Sequence, residues 1–339
     1  MRVFFLLMIL SCSHLSGKKA HELKVAHYNI LELSTEKIEN LENVQMKAAK
    51  RVLSQIDYDI LSLQEIQYDQ PGVPSSKFQT RGENLKKLKM ILGKPDFREI
   101  FFPANTGENA RKLKNGNYAT SDHDDAKKYA DPINYGLFPA QYSFGALTRL
   151  PVKKVKVISS LRWQDFNQDI DLKKYDLPPE TPLFDKNFTH ATVNFHGHDL
   201  HLILLHAAPA YNFEKDNSPN FIRNRDQLRF LEWYLTGETD IQVNLVGIEA
   251  LKKDSLFTAM GDFNVDIKKE KPGSSVLKRL KNKFLFPVDS RDATHKKDLT
   301  LDYIITSNQF KVDDAKILKG PSEASDHFPL WTKLKILLN

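Results

Sequence analysis

Apolar and polar positions along this chain switch repeatedly between a period of two and a period near 3.6. "LKVAHYNIL" (23–31) and "YDILSLQEI" (58–66) read as strands, the second with the apolar centre expected of a sheet covered by helices. Between them Ile38, Leu41, Val44, Ala48, Val52 and Ile56 recur every three or four residues and predict one helix over 37–56. Thr80 and Glu83 have the spacing of a capping box and predict a helix with Leu85, Leu88 and Leu92 inward. "SFGALTRLPV" (143–152) predicts a strand closed by Pro151, and 187–209 a hairpin turning near Gly197. A helix over 222–236 places Leu228, Leu231 and Leu235 on one face. The stretch "LFTAMGDFN" supplies a further strand. A short helix over 274–282, the strand "TLDYIIT" (300–306) and a last strand from Phe328 to Ile336 complete the pattern.

Strands that both alternate with helices and pair as hairpins predict mixed sheets in an α/β sandwich. There is no internal repeat and no low-complexity tract, so residues 21–339 are expected to form a single domain. The segment 103–134 is polar and longer than an ordinary loop. Its Asp122, Asp124, Asp125 and Asp131 are candidate structural Ca²⁺ ligands, although their spacing fits no EF-hand and a solvated loop is the favoured reading.

Composition narrows the picture modestly. The 339 residues are 41% hydrophobic and 27% charged, which excludes a disordered or fibrous chain. A net charge of +6 suits an anionic substrate, but the basic residues are spread along the chain. The first 20 residues carry more information. Arg2 precedes an apolar run from Val3 to Leu10, too short to span a bilayer and typical of an export signal. Cys12, the single cysteine, ends "MILSC", which resembles a bacterial lipobox with cleavage and lipidation at that residue; cleavage after Ala20 is the other reading. The chain is thus expected to be exported. It would be a lipoprotein at the outer membrane or periplasmic face, or else secreted, held by its lipid without a membrane span. With one cysteine, neither a disulfide framework nor thiol catalysis enters the expectation.

The candidate chemistry lies at strand ends. Asn29, Glu65, His206, Asp262 and Asn264 each fall at or just beyond the carboxyl end of an expected strand, Asp302 lies early in another, and Asp326-His327 precede the last. Each alone is equally a cap or a turn residue. In "MGDFN", Asp262 and Asn264 stand two apart and would share a face, with Gly261 leaving room for a close approach. Carboxylates, amides and histidines without a thiol form a hard, oxygen-rich set that prefers Mg²⁺ or Mn²⁺ to softer metals.

The motifs "HYNI", "LSLQEI", "SFGALTRLPV", "LLHAAP", "MGDFNVD", "LDYII" and "ASDHFPLW" stand in an order that resembles the endonuclease/exonuclease/phosphatase superfamily, over about residues 23–336. The resemblance implies a four-layer α/β/β/α sandwich with two mixed β-sheets, as in deoxyribonuclease I. It also implies metal-dependent hydrolysis of phosphoesters by in-line attack of water. Glu65 would be the main metal carboxylate, with Asn29 and Asp326 at or near the metal. His327 would act as general base or balance charge on the phosphoryl group, with Asp302 holding its tautomer. Asp262 and Asn264 would align nucleophile and phosphate, and His206 would assist the leaving group. Arg149, and Arg223 and Arg225 on the expected helix, are candidate substrate-binding residues, a basic surface face being the other reading. Leu31 stands where repair endonucleases of the superfamily carry an extra acid.

A nuclease is the favoured expectation, acting as a monomer. A phosphatase or phospholipid phosphodiesterase is the alternative, and a non-catalytic surface binding protein the remote one. The histidines at 190, 196, 198 and 201 resemble a zinc cluster, but a solvated hairpin tip is the favoured reading.

Overall fold

In the computed structural model, which describes residues 19–213, 217–288 and 292–338, the chain builds two β-sheets face to face. Cys12 and most of the expected export signal lie outside the described residues. The first sheet contains β1 (Lys19–Leu33), β2 (Ile60–Ile66), β3 (Arg98–Phe102), β4 (Ser143–Thr148), β10 (Lys311–Ile317) and β11 (Leu330–Leu338), in the order β10-β11-β1-β2-β4-β3. The second contains β5 (Val152–Ile158), β6 (Phe188–Phe195), β7 (His198–Leu205), β8 (Leu256–Asp262) and β9 (Asp302–Thr306), in sequence order. Both sheets are mixed: β1 runs parallel to β2 and β7 to β8, the other neighbours antiparallel.

Three apolar cores separate four layers. Val25, Ile60 and Phe144 of the first sheet meet Val193, Leu202 and Met260 of the second. The outer face of the first sheet packs Tyr28, Leu61 and Leu63 against α1 (Thr35–Glu39), α2 (Val44–Leu53) and α3 (Asn84–Ile91). After the four-residue α4 (Trp163–Phe166), the helices α5 (Asn220–Thr236) and α6 (Pro272–Lys283) cover the outer face of the second sheet. There Leu228, Leu231 and Leu277 pack on Ile203, Leu205 and Ile305. The expected α/β/β/α sandwich is therefore the observed one.

Several local expectations change. The helix expected over 37–56 is two helices, because Asn43 breaks the run and its side chain accepts from Met46 N, capping α2. No capping box forms at Thr80 and Glu83. Asp69, far away in sequence, instead accepts from the amides of Glu83 and Asn84 at the start of α3. The strand expected over 143–152 is split, with Leu150 and Pro151 carrying the chain from one sheet to the other. The loop acids do not gather either. Asp122, Asp124 and Asp125 are exposed, while buried Asp131 accepts from the amides of Asn109, Ile133 and Asn134 and so orders the loop. The histidine hairpin closes at Gly197 (φ +89°). His190 and His201 face each other at 2.8 Å, and His190 also meets the Tyr234 hydroxyl.

The carboxyl ends of β1, β2, β7 and β8 open on one edge of the sandwich, and Gln64 ties the two sheets there. Its Nε2 donates to Leu205 O (2.9 Å) and its Oε1 accepts from Asp262 N (2.8 Å). Gly261 is obligatory at this crossing, since a Cβ would lie 1.7 Å from Leu205 O. The room expected beside Gly261 is thus taken by the neighbouring strand.

Candidate active site

Alternation along β1 sends His27 and Asn29 to the same buried side, and breaks at the strand end. Leu31, Glu32 and Glu65 all have positive φ (56°, 45° and 60°), beside register shifts in β1–β2 and β2–β4. Non-glycine residues in this region are strained, and such strain concentrates at functional sites. The irregular backbone turns Glu65 to the open edge. Its Oε1 accepts from Asn29 Nδ2 (2.9 Å) and its Oε2 from Glu32 N (3.1 Å).

Asn29 Nδ2 also donates to Asp262 Oδ2 (3.1 Å), so one amide links carboxylates from the two sheets. Its Oδ1 accepts from Leu31 N. Asp262 ends β8, and its Oδ1 accepts from Asn264 N (2.8 Å) in a turn where Asn264 has φ +54°. The shared strand face expected for these two residues is therefore replaced by a turn. Asn264 nevertheless stays beside the site, its Nδ2 donating to Ala207 O (3.0 Å) next to His206. Helix α5 secures this corner: Asn224 donates to Ala208 O and Phe263 O, and Gln227 accepts from Ala208 N.

His327 is positioned through both its backbone and its ring. Its amide donates to Ser325 Oγ, whose hydroxyl donates to Asn29 O. Its Nδ1 donates to Asp302 Oδ2 at 2.7 Å, leaving Nε2 3.7 Å from Asp262 Oδ2 and 4.0 Å from Asp326 Oδ1. Asp302 also accepts from His27 Nε2 (3.0 Å) and Thr294 Oγ1 (2.8 Å). His206 lies with Nε2 3.7 Å from Asp262 Oδ2, and its buried Nδ1 has no hydrogen-bond partner among the described residues.

The electrostatics follow from dense, buried, mostly acidic groups. Burial works against a charged His327, but the carboxylates of Asp302 and Asp262 outweigh it and push its pKa up to about 10. Burial pushes Asp262 up to about 7, opposed by His327 and helped by Asp302 and Glu65. Glu65 is likewise raised by burial. Asp302 is held below the usual carboxylate range by His327 and His27 despite its burial. His206 is driven well below its ordinary value by burial and by buried Lys186, so its ring is neutral near pH 7.

Among the described residues, the groups able to share one cation are Glu65–His206–Asp262, Asp262–Asp302–His327 and His295–Asp326–His327. A hard divalent cation fits this edge: oxygen donors converge, burial disfavours their charge, and the buried Asp326 Oδ1 has no hydrogen-bond partner.

Seven of the expected site residues, Asn29, Glu65, His206, Asp262, Asp302, Asp326 and His327, are thus brought together. The arginines are not. Arg149 lies at the opposite edge, paired with Asp57 and Asp59 (2.7 and 3.1 Å), about 20 Å along β2 from Glu65 at ~3.3 Å per residue. Arg223 is buried and donates to the carbonyls of Leu183, Ile133 and Pro182 and to Asn134 Oδ1, so it ties loops to α5. Arg225 pairs with its neighbour Asp226.

Three participants escaped the sequence reading. His27 carried a usable signal, standing two before Asn29 on one strand. Glu32 approaches Glu65 because the backbone coils at Leu31, and its Oε1 accepts from Tyr142 OH (2.8 Å). His295 comes from a loop that no periodicity marks.

The model of the Endonuclease/Exonuclease/phosphatase family matches residues 26–327. No curated protein matches. Among solved structures, an endonuclease/exonuclease/phosphatase from Beutenbergia cavernae DSM 12333 is similar at 14% identity and a TM-score of 0.57, over 93% of this chain and 72% of that one. A protein of the same family from Bacteroides thetaiotaomicron is similar at 13% identity and 0.54, over 94% and 100%. The human Nocturnin catalytic domain with bound sulfate anion is similar at 14% and 0.51, over 94% and 97%.

Proposed function

We propose, for a chain that belongs to the Endonuclease/Exonuclease/phosphatase family, that it cleaves phosphodiesters with the help of a divalent cation, nucleic acid being the favoured substrate. The family hydrolyses phosphoester bonds. The observation that carries the finer reading is His327, held at 2.7 Å by Asp302 and facing Asp262 at 3.7 Å. A protonated Nε2 there meets the phosphoryl oxygens and balances their charge, which favours that role over the general-base role. Asp262, raised to about 7, is suited to orient water and take its proton. Neutral His206 donates a hydrogen bond to the developing charge. Glu65 and Asp326 are the residues that would hold Mg²⁺ or Mn²⁺, whose charge would offset that of the phosphate, leaving Asp262 to the water.

The second reading is a phosphatase or phospholipid phosphodiesterase, whose substrate needs no long basic track. Arg149, Arg223 and Arg225, the arginines expected to bind substrate, are engaged elsewhere. The expected export and the lipid anchor at Cys12 belong to the same proposal and fit a substrate outside the cytoplasm.

The deciding experiment presents plasmid DNA, RNA, sphingomyelin, inositol phosphates and a bis-aryl phosphodiester to the purified protein with Mg²⁺ or Mn²⁺. Glu65→Ala and His327→Ala are run beside wild type. Cleavage of nucleic acid lost in both variants supports the nuclease. Cleavage of only the lipid or small phosphates supports the second reading, and variants as active as wild type overturn the site.

A further inference from the structure

His295 reaches the site from outside every motif, and its two ring nitrogens have different partners. The Lys297 amide donates to Nδ1 (3.0 Å), so the neutral ring carries its proton on Nε2. That Nε2 lies 3.2 Å from Asp326 Oδ2. The ring stands edge-on to His327, with centroids 4.8 Å apart and planes at 79°. The loop is itself fastened to the last motif: Lys296 N donates to Asp326 O, and Phe328 N to Thr294 O. The ring cannot slide away without breaking these bonds.

The consequence falls on the other oxygen of the carboxylate. Oδ2 is engaged by His295, whereas Oδ1 is buried and has no hydrogen-bond partner among the described residues, His327 Nε2 standing 4.0 Å away. Membership in the His295–Asp326–His327 cluster makes His295 a candidate ligand, on proximity alone. The tautomer argues otherwise. A ligating Nε2 must be bare, which puts the proton on Nδ1, directly against the Lys297 N–H.

We infer that His295 is a positioning residue, a fixed Nε2–H donor that holds Asp326 Oδ2 so that Oδ1 is presented to the cation, and is not itself a ligand. This rests on the reading that the site takes a divalent cation. It complements the Asp302–His327 pair: there a carboxylate orients an imidazole, and here an imidazole orients a carboxylate. Outer partners of this kind typically change metal affinity by about 10–100-fold when removed.

Two measurements on the full chain test the inference. Imidazole ¹⁵N NMR of the cation-free protein should show His295 as the Nε2–H tautomer, unchanged when Mg²⁺ is added. A proton on Nδ1, or a coordination shift of Nε2 on adding Mg²⁺, overturns it. Calorimetric titration with Mn²⁺ should give about 10–100-fold weaker binding for His295→Ala. His295→Gln, whose amide also donates, should recover most of the loss, and His295→Ala should add little on top of Asp326→Asn. Equal affinity in His295→Ala and wild type overturns the positioning role alone. Equal affinity in Glu65→Ala and wild type overturns the cation reading and this inference with it.

Discussion

Asp302 holds His327 by a 2.7 Å bond between Oδ2 and Nδ1, at a place where both side chains are buried. With the second oxygen taken by His27, the carboxylate cannot turn away, and the imidazole keeps one orientation with Nε2 toward Asp262.

The first prediction concerns this pair. The His327 pKa is raised from 6.5 to about 10. The stability linked to it is therefore complete below pH 6.5 and is lost as pH rises through about 10. Asp302→Asn should bring the His327 pKa down, seen in its NMR titration, and flatten the decline in melting temperature of the cation-free protein between pH 7 and 10. Hydrolysis should fall by about 10²–10⁴-fold. A His327 titration unmoved in Asp302→Asn would contradict the assignment.

The second concerns the cation. Asp262 titrates near 7 rather than 3.8, and Glu65 is raised as well, because both are buried among like charges. Protons and cation therefore compete near neutrality. Mn²⁺ should bind well at pH 8, release protons as it binds, and weaken progressively below pH 7. Removing the cation with a chelator should lower the melting temperature at pH 8 and have little effect at pH 5. Titration calorimetry in buffers of different ionisation enthalpy measures the protons released, and an affinity flat between pH 8 and 6 would count against the scheme.

What was legible in the chain followed from regular backbone. Asn29, Glu65, His206 and Asp262 were found because strands with an apolar centre end where a polar residue begins, and parallel neighbours bring those ends to one edge. Glu32 was hidden because two successive residues adopt positive φ, where alternation no longer tells which way a side chain points. The spacing over 37–56 misled for a related reason: Leu41 and Val44 fit the helical stripe yet are 68% and 65% exposed around the break. The two edges of the first sheet were harder still. β3 and β10 are short or largely exposed and carry no clear apolar period. Arginines have no address in sequence, since the same side chain serves a phosphate or a set of loop carbonyls.

The third prediction separates those arginines. Arg223→Ala leaves the carbonyls of Ile133 and Pro182 and the Asn134 amide oxygen without their buried donor, Asp185 keeping Lys186 at 2.9 Å, and should destabilise the fold by about 1–3 kcal/mol for each group left unpaired. Arg149→Ala removes an exposed pair and should cost under about 1 kcal/mol. Urea denaturation ranks the two. Neither substitution should raise KM for a phosphodiester, and a rise in Arg149→Ala would return that residue to the substrate path.

The last prediction tests how the two sheets carry one site. Glu65 and Asn29 belong to the first sheet and Asp262 to the second, so their geometry depends on the sheets keeping register at this edge. Gln64 does this with one side chain, donating to Leu205 O and accepting from Asp262 N. In Gln64→Ala both groups lose their partner in a buried place, at about 1–3 kcal/mol each. Because Asp262 N is one of them, the loss should act on catalysis as well as on stability, with kcat falling further than the folded fraction. Gly261→Ala attacks the same crossing from the other side, driving a methyl onto Leu205 O. It should lower the melting temperature more than Gln64→Ala, because backbone cannot move aside as a side chain can. If Gln64→Ala loses stability but its folded molecules turn over at the wild-type rate, the tie supports the fold alone and the alignment of Asp262 comes from the Asn264 turn.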